Sequence, residues 1–275
     1  MILHEVIFGP ATQGQGSEAR NLAESYLAAL CRNGQLGGEY SLVVRQGMLT
    51  AFVNLLGPQG WKTKSHSQIG VRERTKVAAF FGHAPQWKAL QDAVPTREAT
   101  WAKAPHLCLF TTYFERESPV RRGDNEQPIP LYRLPVTDAD REGIRHWAAV
   151  YHDCDSLWLD CGALELAAYR QLADPRSELA QEGLAHCRTV EKATGIRTFY
   201  FLMRYWGRPE GEENRPCPLC GKPWRIQRPG DHPGGFWDFA FQCQPCRLVS
   251  HLADSPEDHE DYAGIGEYQP PGNPG

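Results

Sequence analysis

Cys217-Pro218-Leu219-Cys220-Gly221-Lys222-Pro223-Trp224 is followed, beyond a Gly/Pro-containing span, by Cys243-Gln244-Pro245-Cys246-Arg247. These are two Cys-x-x-Cys pairs. A two-residue gap lets one tight turn aim both sulfurs at a single point, and two such turns supply four thiolates at the corners of a tetrahedron, the coordination Zn²⁺ takes in structural sites. Between the pairs, Trp224 to Gln227 and Phe236 to Phe241 read as two strands joined by a turn rich in Gly and Pro. The layout is that of a zinc ribbon, with Cys217, Cys220, Cys243 and Cys246 as ligands. Four thiolates fill the shell and leave no position for water, so the expected metal is structural and does no chemistry.

Working outward, the 275 residues suffice for one large domain or two modest ones, and 41% hydrophobic against 23% charged residues is a globular composition. A net charge of −4 gives no global attraction to nucleic acid or an acidic membrane, so binding of that kind must be local. The apolar start Met1 to Phe8 is short for a signal segment and Glu5 interrupts it. Nine cysteines without such a segment point to a reducing cytoplasm, with no membrane association.

The residues before 207 read as an α+β domain. A strand at Ile2 to Phe8 precedes a loop with Gly14 and Gly16, which lacks the third glycine and the Lys of phosphate-binding turns. A helix follows on the stripe Ala19, Leu22, Ala23, Tyr26 and Leu30, then strands Tyr40 to Arg45 and Met48 to Leu55, a helix Val71 to Phe81, and a strand His106 to Phe114. That order, βαββαβ to about residue 116, is a ferredoxin-like arrangement. A helix-rich continuation fills 117–206. It has a proline-bearing edge strand at Ile129 to Leu134 and a capping box at Thr137 to Asp140. A helix opens at Asp174-Pro175, and an apolar strand from Thr198 to Trp206 belongs in the middle of a sheet.

His152, Cys154 and Cys161 are ligand types close together, open as a second metal site or a nucleophile pair. The alternative is a buried strand Leu157-Trp158-Leu159 with both cysteines packed. Residues 207–214 read as a polar linker, 215–252 as the ribbon, and 253–275, acidic and then Pro/Gly-rich, as a disordered tail.

Tyr169 to Pro175, Phe199 to Trp206, Leu131 to Pro135 and the two cysteine pairs together resemble a bacterial family of unknown function, described as zinc-ribbon-containing proteins with a suggested role in nucleic-acid binding. The resemblance implies Zn²⁺ on the four cysteines and DNA or RNA as partner. On the residues themselves, Lys222, Arg225, Arg228 and Arg247 would meet phosphates, and Trp224 and Trp237 would stack on bases. The competing reading is a protein-docking or regulatory module that presents the ribbon to a protein partner. No catalytic residue stands out.

Overall fold

The computed structural model describes residues 1–10, 16–90, 99–226, 239–255 and 260–270, with the side chains of Glu260 and Asp261 left aside. The chain divides into two compact units: Met1–Thr100 with Arg116–Ser118 and Pro128–Arg145, and Trp101–Glu115 with Pro119–Gln127 and His146–Gly275.

In the first unit β1 (Ile2–Pro10), α1 (Gly16–Arg32), β2 (Leu36–Arg45), β3 (Met48–Leu55), α2 (Gln68–Phe81) and β4 (Gln86–Ala89) follow in order. They build a four-stranded sheet, β2-β3-β1-β4, in which every neighbouring pair is antiparallel. Alternation along β3 sends Leu49, Ala51, Val53 and Leu55 to one face, where they join Val6 and Phe8 of β1. The α1 stripe of Ala19, Ala23, Tyr26, Leu27 and Leu30 closes that core, with Val77 of α2. Ser67 caps α2 by accepting the Gly70 amide, worth about 1 kcal/mol.

In the second unit β5 (Leu107–Leu109), β6 (Val120–Arg122), β7 (Thr198–Phe201), β8 (Phe241–Cys243) and β9 (Leu248–Ser250) form one sheet of order β6-β5-β7-β9-β8. β5, β7 and β9 are mutually parallel, and β6 and β8 are antiparallel edges. The helices are α3 (Asp138–Asp160), whose residues 146–160 belong to this unit, α4 (Glu165–Ala173) and α5 (Glu178–Thr194). α5 packs directly on β7. A Cβ at Gly183 would come within 2.2 Å of the Tyr200 ring, so only glycine permits that approach. β7 is buried along its whole length, as an apolar strand in the middle of a sheet requires.

Several expectations are corrected. The last strand of the βαββαβ order is Gln86–Ala89, while the apolar segment 107–109 belongs to the other sheet. The proline-bearing strand at Ile129 to Leu134 is instead a 3₁₀ turn at Leu131–Arg133. α3 opens on the Thr137–Asp140 box, the Asp140 amide donating to Thr137 Oγ1 and the Thr137 amide to Asp140 Oδ2, both at 3.1 Å. It then continues through Leu157-Trp158-Leu159, which is no strand. α5 begins at Glu178 with Ser177 as cap, and Asp174 accepts the Arg176 amide one turn earlier. The loop containing Gly14 lies outside the described residues.

The boundary expected at 207–214 does not isolate the cysteine-bearing segment. β9 pairs in parallel with β7 and carries that segment into the main sheet, and Glu212, inside the supposed linker, is buried. Nor is the described part of 253–275 a free tail: Tyr262 and Ile265 pack in a cluster with Tyr169, Ala173 and Trp206.

Candidate metal centre

The first cysteine pair sits on a loop closed by two backbone bonds. The Cys217 amide donates to the Lys222 carbonyl at 2.9 Å and the Gly221 amide to the Cys217 carbonyl at 2.8 Å. Gly221 closes that turn with φ +70°, and a Cβ there would also lie 2.7 Å from the Tyr268 ring. The second pair turns in the same manner after β8, and the residue in the corresponding position, Arg247, takes φ +57°. For a residue with a side chain this left-handed conformation costs roughly 1–2 kcal/mol.

What holds Arg247 there is Glu191 on α5. The guanidinium donates from Nε to Glu191 Oε2 at 3.1 Å and from Nη2 to Oε1 at 3.0 Å, a two-point grip. Burial would raise the Glu191 carboxyl, yet the donors from Arg247, Thr198 and Arg197 hold it below its ordinary range. Arg197 also donates to the Gln244 carbonyl, and Arg176 to the Pro218 carbonyl at 2.7 Å, so each cysteine turn is held by an arginine from elsewhere in the unit. Glu191, Arg197 and Arg176 are not legible in the sequence as parts of this site, because single charged residues far along the chain read as solvated.

The four sulfurs of the two turns converge. One sulfur from each of Cys217, Cys220, Cys243 and Cys246 lies within 4.8 Å of all the others, and Cys220 Sγ and Cys243 Sγ are 3.7 Å apart. Zn–S bonds of about 2.3 Å in a tetrahedron place sulfurs about 3.8 Å apart, so the donor set fits such an ion. The same separations exclude disulfides, and all nine cysteines are free. Burial pushes the Cys217 thiol up to about 12, and a bound cation is what would favour the thiolate there. Cys217 and Cys243 are buried while Cys220 and Cys246 are half-exposed.

His152, Cys154 and Cys161 do not add a second centre. Among the described residues the four cysteines above form the one group of metal-ligand side chains. His152 Nε2 lies 2.7 Å from Thr111 Oγ1, and burial raises the Cys154 thiol, the opposite of activation.

The proposed nucleic-acid contacts are distributed very unevenly. Trp224 is 4% exposed, donates its indole N–H to the Arg215 carbonyl at 3.0 Å and packs on Phe241, so it has no face for a base. Arg247 is committed to Glu191. Arg225 is half-buried with its guanidinium 5.1 Å from the Phe241 ring centre, and Lys222 is exposed. Arg228 and Trp237 lie outside the described residues. So does the expected hairpin turn; what is described of the hairpin is the Arg225–Phe241 bridge and bonds from Ile226 to Ala240 and from Gln242 to Trp224.

Beside the centre is a buried ionic group. Arg204 donates to both carboxylate oxygens of Glu212 at 3.1 Å, to Glu267 at 2.7 Å, and to the carbonyls of Ala263 and Ile265 at 3.0 and 2.9 Å. All five guanidinium donors are used. Arg215 pairs with the same Glu212 at 2.9 Å and lies over the rings of Trp224 and Phe241 at 4.7 and 4.3 Å. Burial, with Arg204 nearby, lowers Arg215 to about 10, still charged at neutral pH.

Residues 102–203 match a family model described as Domain of unknown function (DUF2310), and residues 207–255 match a second, Domain of unknown function (DUF8594). Two proteins of Haemophilus influenzae, each named Uncharacterized protein, are 35% and 34% identical to the chain over 147 residues. Those residues are 53% of this chain in both cases, and 70% of the first relative and 54% of the second. No solved structure matches.

Proposed function

The chain belongs to the same family as the Haemophilus influenzae relative of which it covers 70%, and from that premise we propose that it is a structural-zinc protein that works by binding. Zn²⁺ on Cys217, Cys220, Cys243 and Cys246 fastens the β8–β9 edge of the second unit, and the four thiolates leave the ion no open position for catalysis. The observation that carries this reading is the convergence of all four sulfurs within 4.8 Å. Metal analysis of protein purified without chelator should give about one zinc per chain, and titration of accessible thiols should rise by four when a chelator is added. Protein free of metal, with unchanged thiol reactivity, would overturn it.

For the ribbon's role the geometry favours an architectural part over a nucleic-acid reading head, because Arg215, Arg247 and Trp224 are engaged within the unit. The nucleic-acid reading rests, among the described residues, on Lys222 and Arg225. Titration of zinc-loaded protein with single- and double-stranded DNA and RNA over a salt series decides between them. Affinity that falls steeply with salt and is lost in Lys222→Glu would restore nucleic acid as the partner.

The first unit is read as ferredoxin-like, supported by its βαββαβ sequence and its β2-β3-β1-β4 sheet order. Nine free thiols accord with a reducing cytoplasmic setting. Among the described residues no helix is long and apolar enough to cross a membrane.

A further inference from the structure

The second unit contains a cavity of about 440 Å³, within the range of small-molecule sites. It opens beyond the carboxyl ends of the parallel strands β5 and β7, where Phe110, Thr112, Phe201, Met203 and Tyr205 meet the α3 residues Tyr151, Asp155 and Trp158. Open sheets with parallel strands characteristically bind ligands at that end. The cavity shares no residue with the cysteine centre or with the buried Arg204 group.

Its walls are aromatic. Phe110 and Phe201 stand edge to face with centres 4.6 Å apart, and Trp158 and Tyr205 do the same at 5.0 Å. Flat rings so arranged accept another flat ring, and their faces attract a cation.

The polar lining has one sign. Glu115, Asp155 and Asp254 reach the cavity, and among the described residues no Lys, Arg or His lines it. Glu115 is already paired with Arg121 at 2.6 Å. Asp155 is different: it is only 6% exposed, its Oδ2 accepts the Tyr113 amide at 2.7 Å, and no donor among the described residues reaches Oδ1. Asp155 lines the cavity, where a cationic donor from a ligand would find that second oxygen. Burial raises the carboxyls of Asp155 and Asp254 above their ordinary range. An anionic ligand would meet this charge without a counter-ion.

We propose that this cavity binds an aryl-alkyl ammonium ligand, with its ring among Phe110, Phe201, Trp158 and Tyr205 and its ammonium group on Asp155. Asp254, half-exposed at the rim, adds attraction without a buried contact. The site is independent of the metal, so it stands or falls separately from the zinc reading.

Three indole probes of one shape test it by calorimetry on the full, zinc-loaded chain: tryptamine, its neutral alcohol tryptophol and the anion indole-3-acetate. Tryptamine should bind at least about tenfold more tightly than tryptophol, and indole-3-acetate should not bind. Asp155→Asn keeps an acceptor for the Tyr113 amide and should abolish tryptamine's advantage while leaving tryptophol unchanged. Asp254→Asn leaves that hydrogen bond alone and should reduce the advantage by a smaller factor, so the charge argument remains testable if the first variant folds poorly. Equal binding of the three probes, binding of none, or an advantage that survives both variants would overturn the proposal.

Discussion

The two units use charge in opposite ways. In the first unit, the buried carboxylates are each met by cations reaching in from the surface: Glu5 by Arg45, and Glu73 by Arg72 and Lys76, all at 2.9 Å. Its main core is an apolar cluster from Val6 to Val77, beside the buried amides of Asn33 and Gln35, which bond to each other. The second unit buries both partners, with Arg204, Glu212 and Arg215 all under 9% exposed, and adds the four-sulfur centre. An apolar core fails gradually as atoms are removed. Buried ions and a metal fail all at once, because a single deletion leaves the remaining partners uncompensated in a medium that solvates them poorly. On the proposed metal reading the second unit is therefore the switchable one, sensitive to metal removal and to single charges.

The strongest way to break this contrast is to remove one thiolate. Cys243→Ser should lose zinc and cost the second unit roughly 5 kcal/mol or more, seen as accelerated amide exchange at Phe199 to Leu202, because β9 pairs with β7. Exchange at Val6 and Phe8 should stay slow. Loss confined to residues after 207 would mean that the cysteine segment is separable after all.

Next comes Arg204→Met, which should destabilise the same unit by about 3–5 kcal/mol, since Glu212 and Glu267 lose their shared counter-ion. Denaturant midpoints of this variant and of Arg204→Met/Glu212→Gln/Arg215→Met/Glu267→Gln, which also removes the buried partner Glu212 would orphan, sharpen the point. The quadruple variant should recover much of the loss. If the single variant is near neutral, the network is not a structural element.

Smaller again, Val77→Ala in the first unit should cost about 2–3 kcal/mol from two lost methyls and the gap they leave. Zinc content should be unchanged. The smallest effect is acid sensitivity. His251 stacks on Phe201, accepts the Arg204 amide and has Arg204, Arg215, Glu212 and Asp254 around it. Burial first, with the two arginines, lowers its pKa to about 4. The folded value lies below the unfolded one, so His251's share is complete above pH 6.5 and lost as pH falls toward 4. Proton NMR of the His251 ring should titrate near 4. A midpoint near 6.5 would remove this share.

Which parts of this were legible follows from the range of the forces involved. The cysteine pairs announce themselves because the metal requires a fixed short spacing. The α1 stripe and the Thr137 box are also local patterns. β4 was hidden because Gln86-Trp87-Lys88-Ala89 is a short, largely exposed edge, while Leu107 to Leu109 carries the stronger strand signal yet pairs with β7 and β6. Leu157-Trp158-Leu159 resembles a strand by composition, but the helix begun at Asp138 runs through it and leaves Leu157 and Leu159 at the surface. The acidic composition around Glu257 to Asp261 masked the anchoring of the residues that follow, because what seats Ile265 and Glu267 is a guanidinium 61 and 63 positions earlier. At the cavity the signal was weaker still, since Asp155 acquires its meaning only from Phe110, Phe201 and Tyr205 brought beside it.

The bond between Arg204 and Glu267 also sets a timetable for synthesis. Ribosomes add about 5–20 residues per second, so several seconds pass between the emergence of this arginine and that of its second carboxylate. For most of that interval β7 lacks β9 beside it, and for nearly all of it Arg204 lacks the Ala263 and Ile265 carbonyls that complete the guanidinium's shell. The nascent second unit must wait with its central strand half paired and its most buried charge hydrated. Residues after 262 thus act as the closing step of assembly, and a chain stalled before them would hold β9 beside β7 yet leave the Arg204 guanidinium without three of its acceptors.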